Sequence, residues 1–568
     1  MKKSGLLVLL LVTACRPAEG PPAGPAAGAD WSRGGMVAAA SPYAVAVASE
    51  ILERGGHAVD AAIAAHAVLG LVEPESSGLG GSVFLLVHEH GANTPVLYDG
   101  RETAPAGATA SMFVVDGQPL GFREAWQTGI GVGVPGTVAA YAAAHAQHGR
   151  LPWAELFRPA ILLAKEGFAV PPKLHNWLLR LAPLIDAERS PAAAAYLYPD
   201  GEPLAQGARR DNPAYAATLE RIAAEGPSAF YSGDIARDIA ARAQQAPLPG
   251  TLTTADLAAY EVVRREAVCG AFRDYRICSA PPPSSGVAQV MIAGLYDRLL
   301  PDAASPLTAF VDAQRLAYAD RDRYIADPAF ADVPLAELIE PAYLDRRAAE
   351  RAAPDALPEP GAPRGEADTG GADATREAPG TSHLSIVDAD GNAVSLTASV
   401  GAPFGSLRMV HGFLLNNEMS DFAFVPVERG EPVANAVEPG KRPRSSMSPT
   451  MVYGADGELA LVTGSPGGNS IVAYVAKSVL GVLDWGLTAQ AAADYPNVIA
   501  RGESVRVETA DDTGRALAAE LAELGYDVRE SEGENSGLHL VVVRPDGLEG
   551  AADSRRDGTT AAVAPRTR

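Results

Sequence analysis

The chain has 568 residues, 47% hydrophobic and 20% charged, which suits one large α/β domain or two to four ordinary ones and excludes global disorder. A formal charge of −23, with no basic stripe interleaved with aromatics, argues against a nucleic-acid partner. No apolar run is long enough to span a membrane.

The first residues read as an address: Lys2 and Lys3, an apolar stretch from Leu6 to Val12, then Val12-Thr13-Ala14-Cys15. This resembles a bacterial lipoprotein signal. The resemblance implies removal of residues 1–14, lipid on Cys15 and a Pro/Gly/Ala tether over 15–30, holding the protein to a membrane outside the cytoplasm. Arg16 does not mark retention in the inner membrane. The alternative is an ordinary secretory signal with an incidental cysteine, which also leads outside the cytoplasm.

From Ser41 to Leu71 an Ala-rich pattern predicts helices broken at Gly55-Gly56, followed by strands in "SVFLLVHEH" and "TPVLYDG". Residues 133–325 read as mostly helical. "ADLAAYEVVRREAV" carries a helix into a strand, and the prolines of "APPPSSG" forbid both helix and central strand. Between them Cys269 and Cys278 flank "GAFRDYRI". If Arg273-Asp274 is a two-residue hairpin loop, 272 faces 275 and 269 faces 278, which allows a cross-strand disulfide; two small core residues are the alternative.

Residues 355–380 contain no aromatic and only Leu357 among large aliphatics, which predicts a flexible segment or exposed loop. Period-2 apolar positions return in "HLSIVDADGNAVSLTASV", with Asp390-Gly391-Asn392 as a hairpin turn. "ELALVTGSPGGNSIVAYVAKSVL" reads as strand, Gly-rich turn and helix, and a last α/β stretch ends in "HLVVVRPDGLEGAADSRRDG". Strand pairs mixed with helices on both sides of residue 380 indicate layered α/β packed as one body.

Thr381 stands where the unstructured stretch ends and the strand begins. A threonine hydroxyl is a poor nucleophile unless a base accepts its proton, and a chain-terminal threonine carries that base as its own α-amine, with a reference pKa of about 7.7 to 8.0. This requires a cut between Gly380 and Thr381, where glycine leaves the carbonyl open to attack. Taken alone, a threonine at a strand start is far more often a β-former or a cap.

The surrounding motifs decide between these readings. "RGGHAVDAAIAAHAVLGLVEPESSGLGG", "DGRETAP", "PGTSHLSIVDADGNAVS", "GFLLNNEMSDF", "PGKRPRSSMSPT" and "TGSPGGNS" occur in that order over residues 36–558. Together they resemble the gamma-glutamyltransferase family of N-terminal nucleophile hydrolases. The resemblance implies a four-layer αββα fold and a precursor that cuts itself into a large part, 31–380, and a small part, 381–568, which stay associated. It implies Thr381 as nucleophile, with Ser382 a hydroxyl beside it, Ser399 as the hydroxyl that orients it, and the backbone N–H groups of Gly467 and Gly468 as oxyanion donors at a helix N-terminus. It also implies Arg101, Ser445 and Ser446 on a γ-glutamyl α-carboxylate and Glu418 with Asp421 facing the α-ammonium.

Two departures bear on substrate. Gly401 stands where the family has an asparagine that contacts the glutamyl head group, and the stretch from Asp421 to Ser445 is short, which predicts a more open pocket. His57 reads as structural. No metal-ligand spacing or dinucleotide fingerprint occurs, and no cofactor is expected. The expected activity is γ-glutamyl transfer from glutathione or related amides to water or an amino acid. A glutaryl or poly-γ-glutamate acylase and a binding module without turnover are the alternatives.

Overall fold

The computed structural model describes residues 34–365, 370–373, 375–428 and 430–564. The expected signal and tether lie outside them. Two sheets dominate. The first has seven strands in the order Thr559–Val563, Gly35–Ala39, Gly380–Val387, Ala393–Gly401, Ser82–His88, Val96–Gly100, Val263–Glu266. The second has six, in the order Gly547–Ala552, His539–Arg544, Leu459–Gly464, Thr450–Tyr453, Tyr275–Ser279, Val268–Phe272.

Strand periodicity explains how they stack. Val37 and Ala39 of the first sheet join a core with helices Pro42–Glu53 and Ala58–Val72, whereas Met36, Ala38, Phe84 and Leu86 point the other way, into a core shared with the second sheet. Helices Gly286–Leu299, Pro306–Tyr324 and Ile471–Leu483 complete that core. The result is the αββα layering that the resemblance implies. Helix Ala58–Val72 is buried on every side and is apolar all round except at Asp60 and His66. Its N-terminus confirms His57 as structural: the ring accepts from Val59 N while Asp60 accepts from His57 N.

The hairpin at Arg273-Asp274 has the expected register, with Tyr275 opposite Phe272 and Cys278 opposite Cys269. The two cysteines are bonded, with Cα atoms 4.1 Å apart. The segment before Thr381 differs from expectation at its end. Leu357 is exposed, but Asp373 and Glu377 are buried. Composition predicts looseness because it counts apolar anchors, and this stretch is held by ionic ones: Arg444 pairs with Asp373 at 3.1 Å and Arg321 with Glu377.

Strand Gly35–Ala39 is hydrogen-bonded on one side to Gly380–Val387 and on the other to Thr559–Val563. A cut ahead of Thr381 therefore leaves both parts woven through one sheet.

Burial holds the imidazoles of His66 and His539 down at about 3. Below the unfolded value of about 6.5 the unfolded chain gains protons that the folded chain does not, so each histidine contributes a loss of stability as pH falls from about 6.5 towards about 3. Replacing His66 by Gln is expected to remove one such contribution. Between about pH 7.5 and about pH 5 the parent should lose about 2 kcal/mol more than the variant in urea unfolding. Equal losses in the two proteins would show that His66 titrates normally.

Candidate active site

Thr381 is the second residue of strand Gly380–Val387 and is buried at the end of the gap between the two sheets. On the neighbouring strand Ser399 lies directly opposite it. The Thr381 hydroxyl donates to Ser399 Oγ at 3.5 Å, and Ser399 Oγ donates to the Gly380 carbonyl at 2.9 Å while accepting from Gly401 N at 2.9 Å. Ser399 Oγ thus bridges the Thr381 hydroxyl and the carbonyl of the bond expected to break. Thr381 N turns back to Pro379 O at 3.1 Å, and the strand register shifts between Gly380 and Thr381. The bond lies in a kink, clear of the regular ladder.

Glycine at 380 has a second reason beyond access. A Cβ there would lie 2.5 Å from the carbonyl oxygens of Gly401 and Ala402. Further along the same inner face, His383 meets Thr397 and Ser385, whose hydroxyl reaches His539 O in the other sheet. The alternation of the polar His383 and Ser385 with the apolar Leu384 and Ile386 carries this signal in the sequence. Ser382 points to the opposite face and donates to Glu73 at 2.9 Å.

The turn at Gly467 and Gly468 ends strand Leu459–Gly464 and leads into helix Ile471–Leu483. Both glycines have positive φ, 138° and 58°. A Cβ on Gly468 would lie 2.4 Å from Glu377 O, so the turn and the segment before the cut are in backbone contact. A cavity of about 560 Å³ opens beside them, with Pro379, Gly467, Asn469, Arg506 and Asn535 among its walls. A second, of about 590 Å³, includes Arg556, whose guanidinium donates to Thr381 O at 3.2 Å.

Of the five residues expected at the glutamyl head group, Arg101, Glu418 and Asp421 pair directly, and Ser445 and Ser446 follow Arg444 in the chain. Arg101 is buried and pairs with Glu418 and, at 2.5 Å, with Asp421; it also donates to Arg444 O at 3.2 Å, one residue before Ser445. The loop "APPPSSG" braces this stretch: Ser445 N donates to Pro283 O, and Ser285 Oγ donates to Ser445 O. Burial, then the neighbouring Glu418, pushes the Asp421 carboxyl well above its usual range, and burial does the same to Glu102. The cluster carries more acid than one guanidinium neutralises.

These features match a known family. The gamma-glutamyltranspeptidase family model covers residues 44–563. The chain belongs to the gamma-glutamyltranspeptidase family. It is 36% identical to a glutathione hydrolase proenzyme of Escherichia coli (strain K12), over 92% of this chain and 90% of that protein. An acylase ACY 1 proenzyme of Pseudomonas sp. (strain V22) is 35% identical, with 93% of each chain covered. Among solved structures, a cephalosporin acylase from Bacillus halodurans superposes with a TM-score of 0.82 at 26% identity, covering 98% of this chain and 100% of that one.

Within the family frame Gly401 has a local explanation. Its φ is +91°, and a Cβ would lie 2.3 Å from Asn417 Oδ1, which accepts from Ala402 N at 2.7 Å. Asn417 occupies the space that a side chain at 401 would need. The short 421–445 stretch is tied back to the segment before Thr381, since Asn435 donates to Asp373 at 2.7 Å. Sequence reading missed Arg321, Arg444 and Glu377, which join the same cluster. Each looks like an ordinary surface charge until the fold buries it.

Proposed function

We propose that this chain is a self-cleaving γ-glutamyl hydrolase or transferase acting on glutathione and related γ-glutamyl amides. The observation that carries the reading is the placement of Thr381 and Ser399 around the Gly380 carbonyl, with a head-group cluster of Arg101, Glu418, Asp421, Ser445 and Ser446 in the same body. In the first reaction Thr381 Oγ attacks the Gly380 carbonyl carbon and the C–N bond breaks. The nitrogen takes the hydroxyl proton, leaving an ester that water hydrolyses to a Gly380 carboxylate and a free Thr381 α-amine. In the second, that amine accepts the Thr381 proton as the hydroxyl attacks a γ-glutamyl carbonyl. Gly467 and Gly468 N–H groups serve the oxyanion. The departing amine takes the proton, and water or an amino acid then receives the acyl group.

A related acylase activity on glutaryl-type amides is the second reading, favoured by Gly401, which offers no side chain to the head group, and by the likeness to acylases. Comparing γ-glutamyl and glutaryl anilides separates the two. Recognition of the ammonium by Glu418 and Asp421 predicts at least about 10-fold higher kcat/KM for the γ-glutamyl compound, the worth of one charged hydrogen bond. Equal rates would favour the acylase. The segment 1–15 further supports a lipid-anchored protein outside the cytoplasm, to be tested by detergent partition and by the mass of the N-terminal peptide.

A further inference from the structure

Glu377 lies three residues before the scissile carbonyl and is held at both ends. Its backbone N donates to Asn469 Oδ1 at 2.7 Å, in the turn that carries Gly467 and Gly468. Its carboxylate accepts from Ser446 N at 2.6 Å and pairs with Arg321, whose guanidinium also donates to Ser446 Oγ at 2.7 Å. Arg444 lies 3.8 Å away on the other side. Arg321, Arg444 and Ser446 are fully buried. Although burial opposes it, Arg321 and Arg444 keep this carboxyl below its usual range, so it is ionised where it sits.

Ser446 is a residue that the proposed function assigns to a substrate carboxylate. In the uncut chain a carboxylate is already there, and it belongs to the chain itself. Three residues link it to the bond that breaks, one of them Pro379 with its fixed φ, so anchoring Glu377 restricts where the Gly380 carbonyl can lie relative to Ser399. We propose that Glu377 is a positioning residue for self-cleavage: it acts as an internal substrate, filling the carboxylate site of Ser446 and Arg321 until the cut frees the segment to leave. The proposal rests on the reading of Ser446 given above, but self-cleavage can be followed without any γ-glutamyl compound.

The test uses the full chain, with uncut protein followed by intact mass over time. Glu377→Ala is expected to slow the cut about 10- to 100-fold, the cost of a reacting group displaced by about 1 Å. Added acetate or propionate should restore much of the rate by occupying the vacated site, whereas chloride at equal ionic strength should not. Glu377→Gln, which keeps the shape but loses the charge, should fall between. Melting of each variant in a Thr381→Ala background checks that the fold survives. Parental cutting in Glu377→Ala overturns the proposal, and so does a slow cut that no carboxylate rescues. A slow, rescued cut followed by no turnover of γ-glutamyl amides upholds the positioning role and overturns only the substrate assignment.

Discussion

Thr381→Ala is expected to leave the chain in one piece and without turnover. The hydroxyl is the attacking atom in both reactions, and its loss also removes the cut that creates the α-amine, so the two defects appear together. Intact mass should show a single species where the parent shows two, and γ-glutamyl anilide hydrolysis should be at background. Ser399→Ala sharpens the interpretation, because Ser399 Oγ donates to the Gly380 carbonyl in the uncut chain. Removing one donor to a developing oxyanion costs about 100- to 1000-fold, so this variant should still cut, far more slowly. A Thr381→Ala chain that is cut between Gly380 and residue 381 would mean that another group or a protease breaks the bond, and the proposed mechanism would fall.

Replacing Arg101 by Met should cost stability on the order of 3–5 kcal/mol, because it leaves Glu418, Asp421 and Glu102 buried around no cation. Urea unfolding in the uncut Thr381→Ala background avoids the concentration dependence of a two-part protein. Adding Asp421→Asn to Arg101→Met should recover part of the loss by removing one uncompensated acid. In the processed enzyme the same substitution should raise KM for γ-glutamyl anilides, since the head-group carboxylate loses its guanidinium. Unchanged stability together with unchanged KM would take Arg101 out of both roles.

Much of the layering was legible in the sequence because it rests on period and punctuation. The glycine pair ending helix Pro42–Glu53, the Asp390-Gly391-Asn392 turn between Gly380–Val387 and Ala393–Gly401, and the Arg273-Asp274 loop are local signals, and each element falls where those signals place it. Ordered motifs did the same for the site: Thr381 and Ser399, eighteen positions apart along one hairpin, are brought opposite by its register. Composition does not reveal that the end of the segment before Thr381 is held, because its anchors are long-range ion pairs, such as Glu377 with Arg321 at a separation of 56 residues.

By itself, then, the sequence determined the alternation of strands and helices, the junction at Thr381 and the residue types that a γ-glutamyl head group needs. Those properties depend on neighbours a few positions apart or on motifs that keep their order. Only the tertiary structure decided that Ser399 bonds the Gly380 carbonyl, that Asn417 fills the space at Gly401, and that the Glu377 carboxylate accepts from Ser446 N. Each of these is a contact between segments brought together by packing, where the removal of water makes the choice of partner decisive.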